Sequence, residues 1–139
     1  DLGAAPGGWT WQLVNRLMNV TAVDNGPMDR RLMDSGQVEH VQGDGYMYRP
    51  KRTVDWMVCD IVDKPARSSA LAAKWIGQRY CRELIINFKL PMKQRYQEVM
   101  QCLGHIQDAL DEAGVRADIG CKQLYTDREE VTCHIRALR

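Results

Sequence analysis

Short apolar runs bounded by polar residues or glycine alternate along the chain with stretches in which apolar positions recur every three or four residues. Residues 20–24, 38–42, 54–60 and 83–88 have the first character and predict strands. Residues 9–18, 28–34, 68–80 and 93–113 have the second and predict helices. The last is the clearest, with Tyr96, Val99, Met100, Leu103, Ile106, Leu110 and Ala113 on one face and Gly114 as a stop. In the short helix, Pro27 stands near the start and Gly36 past the end. Residues 115–123 and 131–138 predict a final hairpin around Tyr125-Thr126-Asp127-Arg128.

Strands that alternate with helices predict an α/β fold with a mostly parallel sheet and helices on both faces. Two final strands with no helix between them predict one antiparallel strand near the C-terminus. The opening Asp1-Leu2-Gly3 reads as the end of a buried strand whose earlier residues are missing. The chain is therefore expected to be an N-terminally truncated catalytic domain covering residues 1–139.

Composition narrows the possibilities modestly. The 139 residues suffice for one ordinary domain. With 45% hydrophobic and 27% charged residues the chain can build a core and need not be disordered. No apolar run is long enough to span a bilayer, and a cytoplasmic monomer is expected. A formal net charge of +1 excludes a domain-wide basic field. Cys59, Cys81, Cys102, Cys121 and Cys133 form no C-x-x-C pair, so reduced thiols serving as small buried apolar groups are expected. His40, His105 and His134 fall on separate predicted elements, and no metal site is expected.

Ligands of open parallel sheets bind beyond the carboxyl ends of the strands. Asp1 and Gly3, Asp24, Asp44 and Asp60 all sit at such ends. The loop Gly3-Ala4-Ala5-Pro6-Gly7-Gly8 lacks the G-x-G-x-x-G spacing of dinucleotide sites. Acids around a glycine loop suit a cationic ligand better than a pyrophosphate. S-adenosylmethionine carries a sulfonium and an ammonium, and Asp24 stands where an acid can take both ribose hydroxyls.

The run Asp1-Leu2-Gly3-Ala4-Ala5-Pro6-Gly7-Gly8-Trp9 closely resembles the cofactor loop of the FtsJ-like ribose 2′-O-methyltransferases, and the similarity extends to the final strand. The resemblance implies a Rossmann-like methyltransferase fold, with S-adenosylmethionine held by Asp1, Gly3, Ala5, Pro6, Gly7, Gly8, Trp9, Asp24, Asp44 and Asp60. The family's catalytic pattern is lysine, aspartate, lysine, glutamate. By resemblance the aspartate is Asp60, the second lysine is Lys89, just past the fifth strand of the fold, and the glutamate is Glu130. The first lysine would precede Asp1. Asp24-Asn25-Gly26-Pro27-Met28 and Asp127-Arg128-Glu129-Glu130-Val131 resemble members of the family that act on a cytidine ribose of 23S ribosomal RNA.

A ribose hydroxyl attacks a methyl carbon only as its proton leaves. A lysine accepts that proton if burial and a neighbouring cation bring its pKa down from about 10.4. Lys89 is the candidate base, with Asp60 and Glu130 orienting it. Glu129 competes with Glu130, because alternation sends adjacent residues to opposite faces. Cys59 precedes Asp60 in a strand and is expected to face away. Tyr46, Tyr48, Arg49, Lys51 and Arg52 mix stacking and phosphate-binding side chains, and Lys64, Arg67, Lys93 and Arg95 add charge. These are candidate RNA contacts, although a solvated loop fits the same residues. A methyltransferase acting on an amine, a base nitrogen or a small molecule, and a non-catalytic RNA-binding module, remain alternatives. The turn Asp60-Ile61-Val62-Asp63-Lys64-Pro65 does not match the usual motif of amino methyltransferases acting on nucleic acids.

Overall fold

A computed structural model describes residues 1–125 and 127–139. The elements in chain order are α1 (Gly8–Asn15), β1 (Val20–Val23), α2 (Arg30–Asp34), β2 (Val38–Val41), β3 (Val54–Cys59), α3 (Pro65–Gly77), β4 (Cys81–Lys89), α4 (Arg95–Ala113), β5 (Ala117–Lys122) and β6 (Glu130–Ala137). The chain divides into two compact units. One comprises Asp1–Arg49 with Val58–Asp60, the other Pro50–Met57 with Ile61–Arg139.

In the first unit β1 and β2 pair in parallel, Val20 opposite Val38 and Val23 opposite Val41. Leu2, 1% exposed, bridges Val23 and Cys59, both in parallel. The strand character expected of Asp1-Leu2-Gly3 is therefore present at Leu2. Ala4, Val20, Ala22, Met28, Leu32 and Val38 form the core, with Leu13 and Val14 of α1 packed against it. α1 stops at Asn15 rather than Met18 because Leu17 takes the left-handed conformation (φ 62°), which ends a right-handed helix. α2 starts at Arg30, later than 28, because Asp29 caps it by accepting the Arg31 N–H at 2.8 Å.

In the second unit the strand order is β3-β4-β6-β5. β6 runs antiparallel to both neighbours and so is the antiparallel strand expected near the C-terminus. α3 packs on α4 and on β4. α3 begins at Pro65, three residues before 68, since proline is well tolerated in a first helical turn. It ends at Gly77 rather than Tyr80, because Arg79 has a left-handed backbone, φ 57°. Gly114, φ 67°, closes α4. β4 is longer than 83–88, and Lys89 is its last residue rather than lying just past it. In the turn Tyr125-Thr126-Asp127-Arg128, Thr126 lies outside the described residues.

The cysteines need a correction. Cys59, Cys81 and Cys102 are buried thiols, as expected, but Cys121 and Cys133 are joined by a disulfide. They stand opposite each other in the β5–β6 register, with Cα atoms 4.2 Å apart. Among the described residues no helix is long and apolar enough to cross a membrane, and no cluster of His, Cys, Asp or Glu suits a metal ion.

Candidate active site

The first unit gathers the glycine loop and the strand-end acids. The Asp1 carboxylate accepts from the hydroxyl of Thr10, a fully buried residue of α1, at 2.7 Å. The N–H groups of Gly3 and Ala4 both donate to Val23 O, at 2.8 and 3.2 Å. Asp24 follows β1, and its two carboxylate oxygens are divided: Oδ2 accepts from Ala5 N at 3.0 Å, Oδ1 from Gly26 N at 2.8 Å. Asp24 therefore ties the glycine loop to the turn after β1. Its main chain is fixed as well, since its N–H donates to Val41 O at 3.1 Å and its carbonyl lies 2.9 Å from His40 Nε2.

The Ala5–Pro6 bond is cis, and Pro6 O accepts from Asp29 N at 2.8 Å. Gly7 lies before α1 at φ 129°, where a Cβ would stand 2.3 Å from Leu32 Cδ1. Its φ favours glycine, and a side chain there would also require Leu32 to shift. Gly8 is exposed with open space beside it, and Trp9 is partly buried on the first turn of α1. Asp44 is exposed. Its carboxylate accepts from Tyr46 N at 2.9 Å and its carbonyl from Met47 and Tyr48 N–H groups, which folds the aromatic stretch into a turn. Asp60 leaves the end of β3 half-buried. Cys59 is 1% exposed, in keeping with a core thiol.

These residues suit a ligand bearing a ribose and a positive charge. A carboxylate offers about four lone-pair sites, and two backbone N–H groups occupy two of those on Asp24. One site per oxygen is left for a pair of vicinal hydroxyls. Asp1, Asp44 and Asp60 add negative charge that a cation would favour.

The second unit builds a different cluster. The β4–β6 register sets Lys89 opposite Glu130 and Asn87 opposite Thr132. The Lys89 ammonium pairs with Glu130 Oε2. Asn87 Nδ2 donates to Glu130 Oε1 at 3.2 Å, and the Thr132 hydroxyl donates to Asn87 Oδ1 at 2.7 Å. Lys89 and Glu130 are 24% and 18% exposed, enough shielding to strengthen their attraction while leaving the amine reachable. Glu130 is the glutamate that meets Lys89. Glu129 is exposed and contributes its carbonyl to Leu90 N at 2.7 Å. Asn87 and Thr132 escaped the sequence reading as site residues. The available signal was a polar Asn in the apolar run Leu84-Ile85-Ile86-Asn87-Phe88.

Of the cationic candidates, Arg67 is paired with Asp63 at 2.8 Å, and Arg95 Nε donates to Pro91 O at 2.9 Å. Lys64 and Lys93 are exposed just ahead of α3 and α4. Lys51 and Arg52 are exposed and lead into β3 at its amino end, the end opposite to the one Asp60 leaves. Arg49 is exposed and precedes them.

Comparison with known proteins bears on the same residues. The family described as FtsJ-like methyltransferase matches residues 1–85. A protein of Stutzerimonas stutzeri named ribosomal RNA large subunit methyltransferase M is 68% identical over 99% of this chain. The match takes in 40% of that protein, so the chain spans well under half the length of its relative. Among solved structures, the fibrillarin pre-rRNA processing protein of Methanococcus jannaschii superposes with a TM-score of 0.61 at 13% identity, covering 98% of this chain and 64% of that one. Aeropyrum pernix fibrillarin, solved with natively bound S-adenosyl-L-methionine, gives 0.53 at 14% identity, covering 86% and 55%. These structural likenesses are likenesses of fold.

Proposed function

The chain belongs to the FtsJ-like methyltransferase family, and we propose that it is the part of a larger protein that binds S-adenosylmethionine and methylates a ribose 2′-hydroxyl in ribosomal RNA, at a cytidine of the 23S molecule. The observation that carries the reading is the Lys89–Glu130 pair, an accessible amine held by a carboxylate. The 68% identity to a ribosomal RNA methyltransferase supports the choice of substrate. The reading puts the protein in the cytoplasm with its RNA, acting as a monomer.

S-adenosylmethionine, when bound, supplies a methyl carbon activated by a sulfonium. Asp24 takes the hydroxyls of the donor's ribose, and Asp1, Asp44 and Asp60 complement its positive charge. Gly3, Ala5, Pro6, Gly7, Gly8 and Trp9 shape the loop around it. With the donor bound, the acceptor's 2′-oxygen would gain the methyl group as the carbon–sulfur bond breaks, with a neutral thioether as the leaving group. The hydroxyl proton passes to Lys89. Glu130 holds the amine, and Asn87 fixes Glu130 through its second oxygen.

The ion pair also sets a requirement. A carboxylate beside an amine favours the ammonium, and an ammonium accepts no proton. Lys89 becomes a base only when nearby positive charge offsets Glu130. Arg49, Lys51, Arg52, Lys64 and Lys93 are assigned to the RNA backbone.

Two measurements on the full-length protein test the proposal. Calorimetry with S-adenosylmethionine is expected to show binding and with NAD none. Incubation with tritiated methyl donor and unmodified 23S RNA is expected to label the RNA. Binding of NAD in preference, or label transferred to a small amine but never to RNA, would overturn it.

A further inference from the structure

We propose that a pocket at the amino ends of β3 and β4, far along those strands from Lys89, holds a phosphodiester of the RNA backbone. The inference rests on the reading of RNA as substrate. The pocket measures about 510 Å³, and its charged lining is Arg79, Arg82, Arg136, Arg139 and Glu83, with Thr53 beside them. Because β6 runs antiparallel to β4, with Arg136 opposite Glu83, its last residues return to the strand end where β4 begins.

Four arginines and one glutamate are among the lining residues, and the glutamate is engaged: Glu83 Oε2 lies 2.7 Å from His134 Nε2. Arg82 meets Asp55 only at 3.6 Å, and Arg136 meets Asp118 at 2.9 Å, with both carboxylates more than half exposed. Exposed ion pairs of this kind contribute little in water, so a phosphate can replace them. Among the described residues no carboxylate pairs with Arg79 or Arg139.

Arg79 is held in place. Its φ of 57° lies in the left-handed region, its N–H donates to Ile76 O at 3.0 Å, and its carbonyl accepts from the Thr53 hydroxyl at 2.9 Å. Glycine would fit this helix-ending turn at less conformational cost. An arginine there points to a use for the side chain. Guanidinium matches phosphate oxygens with paired hydrogen bonds. Lys51 and Arg52 directly precede Thr53, so positive charge continues along the chain beyond the pocket. A continuous track suits a polyanion better than a single small phosphate.

The test uses the full-length protein, a fluorescent fragment of 23S RNA, and the double variant Arg79→Gly, Arg139→Gln. Glycine at 79 removes the guanidinium and eases the turn, so the fold is not at risk. Each lost phosphate contact lowers the salt slope of log K by about 0.7–0.9. The double variant is therefore expected to lose about 1.5 from the slope and to bind roughly tenfold more weakly at 0.15 M salt. Arg79→Lys with Arg139→Lys, which keeps both charges, is expected to restore most of the slope. Affinity for S-adenosylmethionine is expected to stay unchanged in both variants. An unaltered slope in the double variant would overturn the proposal, as would millimolar inorganic phosphate displacing the RNA and cancelling the difference between wild type and variant. Failure of the methyltransferase reading is separately visible, as wild-type protein that binds RNA with the expected slope yet transfers no methyl group.

Discussion

Removing the Asp24 carboxylate should damage both fold and ligand binding, and the two losses can be separated. The carboxylate accepts from Ala5 N and Gly26 N in a partly buried setting. An unsatisfied buried donor costs about 1–3 kcal/mol. Partial access of water puts each near the low end, so Asp24→Ala should cost about 2–3 kcal/mol. In a domain of this size that lowers Tm by roughly 6–12 °C. Asp24→Asn keeps one carbonyl-type acceptor and turns an amide N–H₂ toward the other donor, so it should fall between wild type and Asp24→Ala. Ligand binding should fall further than stability explains. Hydrogen bonds to a charged acceptor contribute about 1.5–3 kcal/mol, so affinity for S-adenosylmethionine should drop by at least ~10-fold at a temperature where the variant is fully folded. Differential scanning calorimetry and isothermal titration on the full-length protein read the two effects. A Tm within 1 °C of wild type would refute the claim that Asp24 fastens the loop, and unchanged affinity would remove it from the ribose site.

Lys89→Ala should slow single-turnover methyl transfer by about 10²–10⁴-fold while cofactor affinity stays within a few-fold. Lys89→Arg should fail as well, because guanidinium does not deprotonate; a Lys89→Ala rate within threefold of wild type would leave Asp60 as the leading base. Gly7→Ala meets both an unfavourable φ and Leu32 Cδ1 at 2.3 Å, so urea denaturation should register a loss of about 2–4 kcal/mol. Burial pushes the Cys81 thiol up to about 12 from an ordinary 9.0. Below pH 9 both states keep the proton; between about 9 and 12 only the unfolded chain loses it, so stability falls as pH rises, by up to about 1.4 kcal/mol per unit. Cys81→Ala should flatten urea-derived stability over pH 9–10.5 relative to wild type, and an identical slope would contradict the assignment.

Periodicity located most elements through an apolar face, but the long helix buries only Ile106 and Leu110 of its predicted stripe, while Tyr96 and Met100 are exposed. The ends of elements were set by local chemistry that periodicity does not carry. Leu17 and Arg79 end helices in left-handed conformations that glycine would advertise and these side chains hide. The acids at strand ends were legible because parallel strands deliver their carboxyl ends to one rim. The engagement of Asp24 by Ala5 and Gly26 was not, because it depends on how two loops meet. Glu130 was separable from Glu129 only through the β4–β6 register, which also recruits Asn87 and Thr132. The Cys121–Cys133 bond likewise follows from the β5–β6 register, since twelve residues of separation carry no pairing rule.

The position of the transferred methyl group decides the matter. Full-length protein is incubated with tritiated S-adenosylmethionine and unmodified 23S RNA, and the product is hydrolysed in alkali. Alkaline cleavage needs a free 2′-hydroxyl, so a methylated ribose survives as a dinucleotide. Ribose 2′-O-methylation requires the label in an alkali-stable dinucleotide whose 5′ residue is cytidine. Label in mononucleotides, which places the methyl on a base, would contradict it.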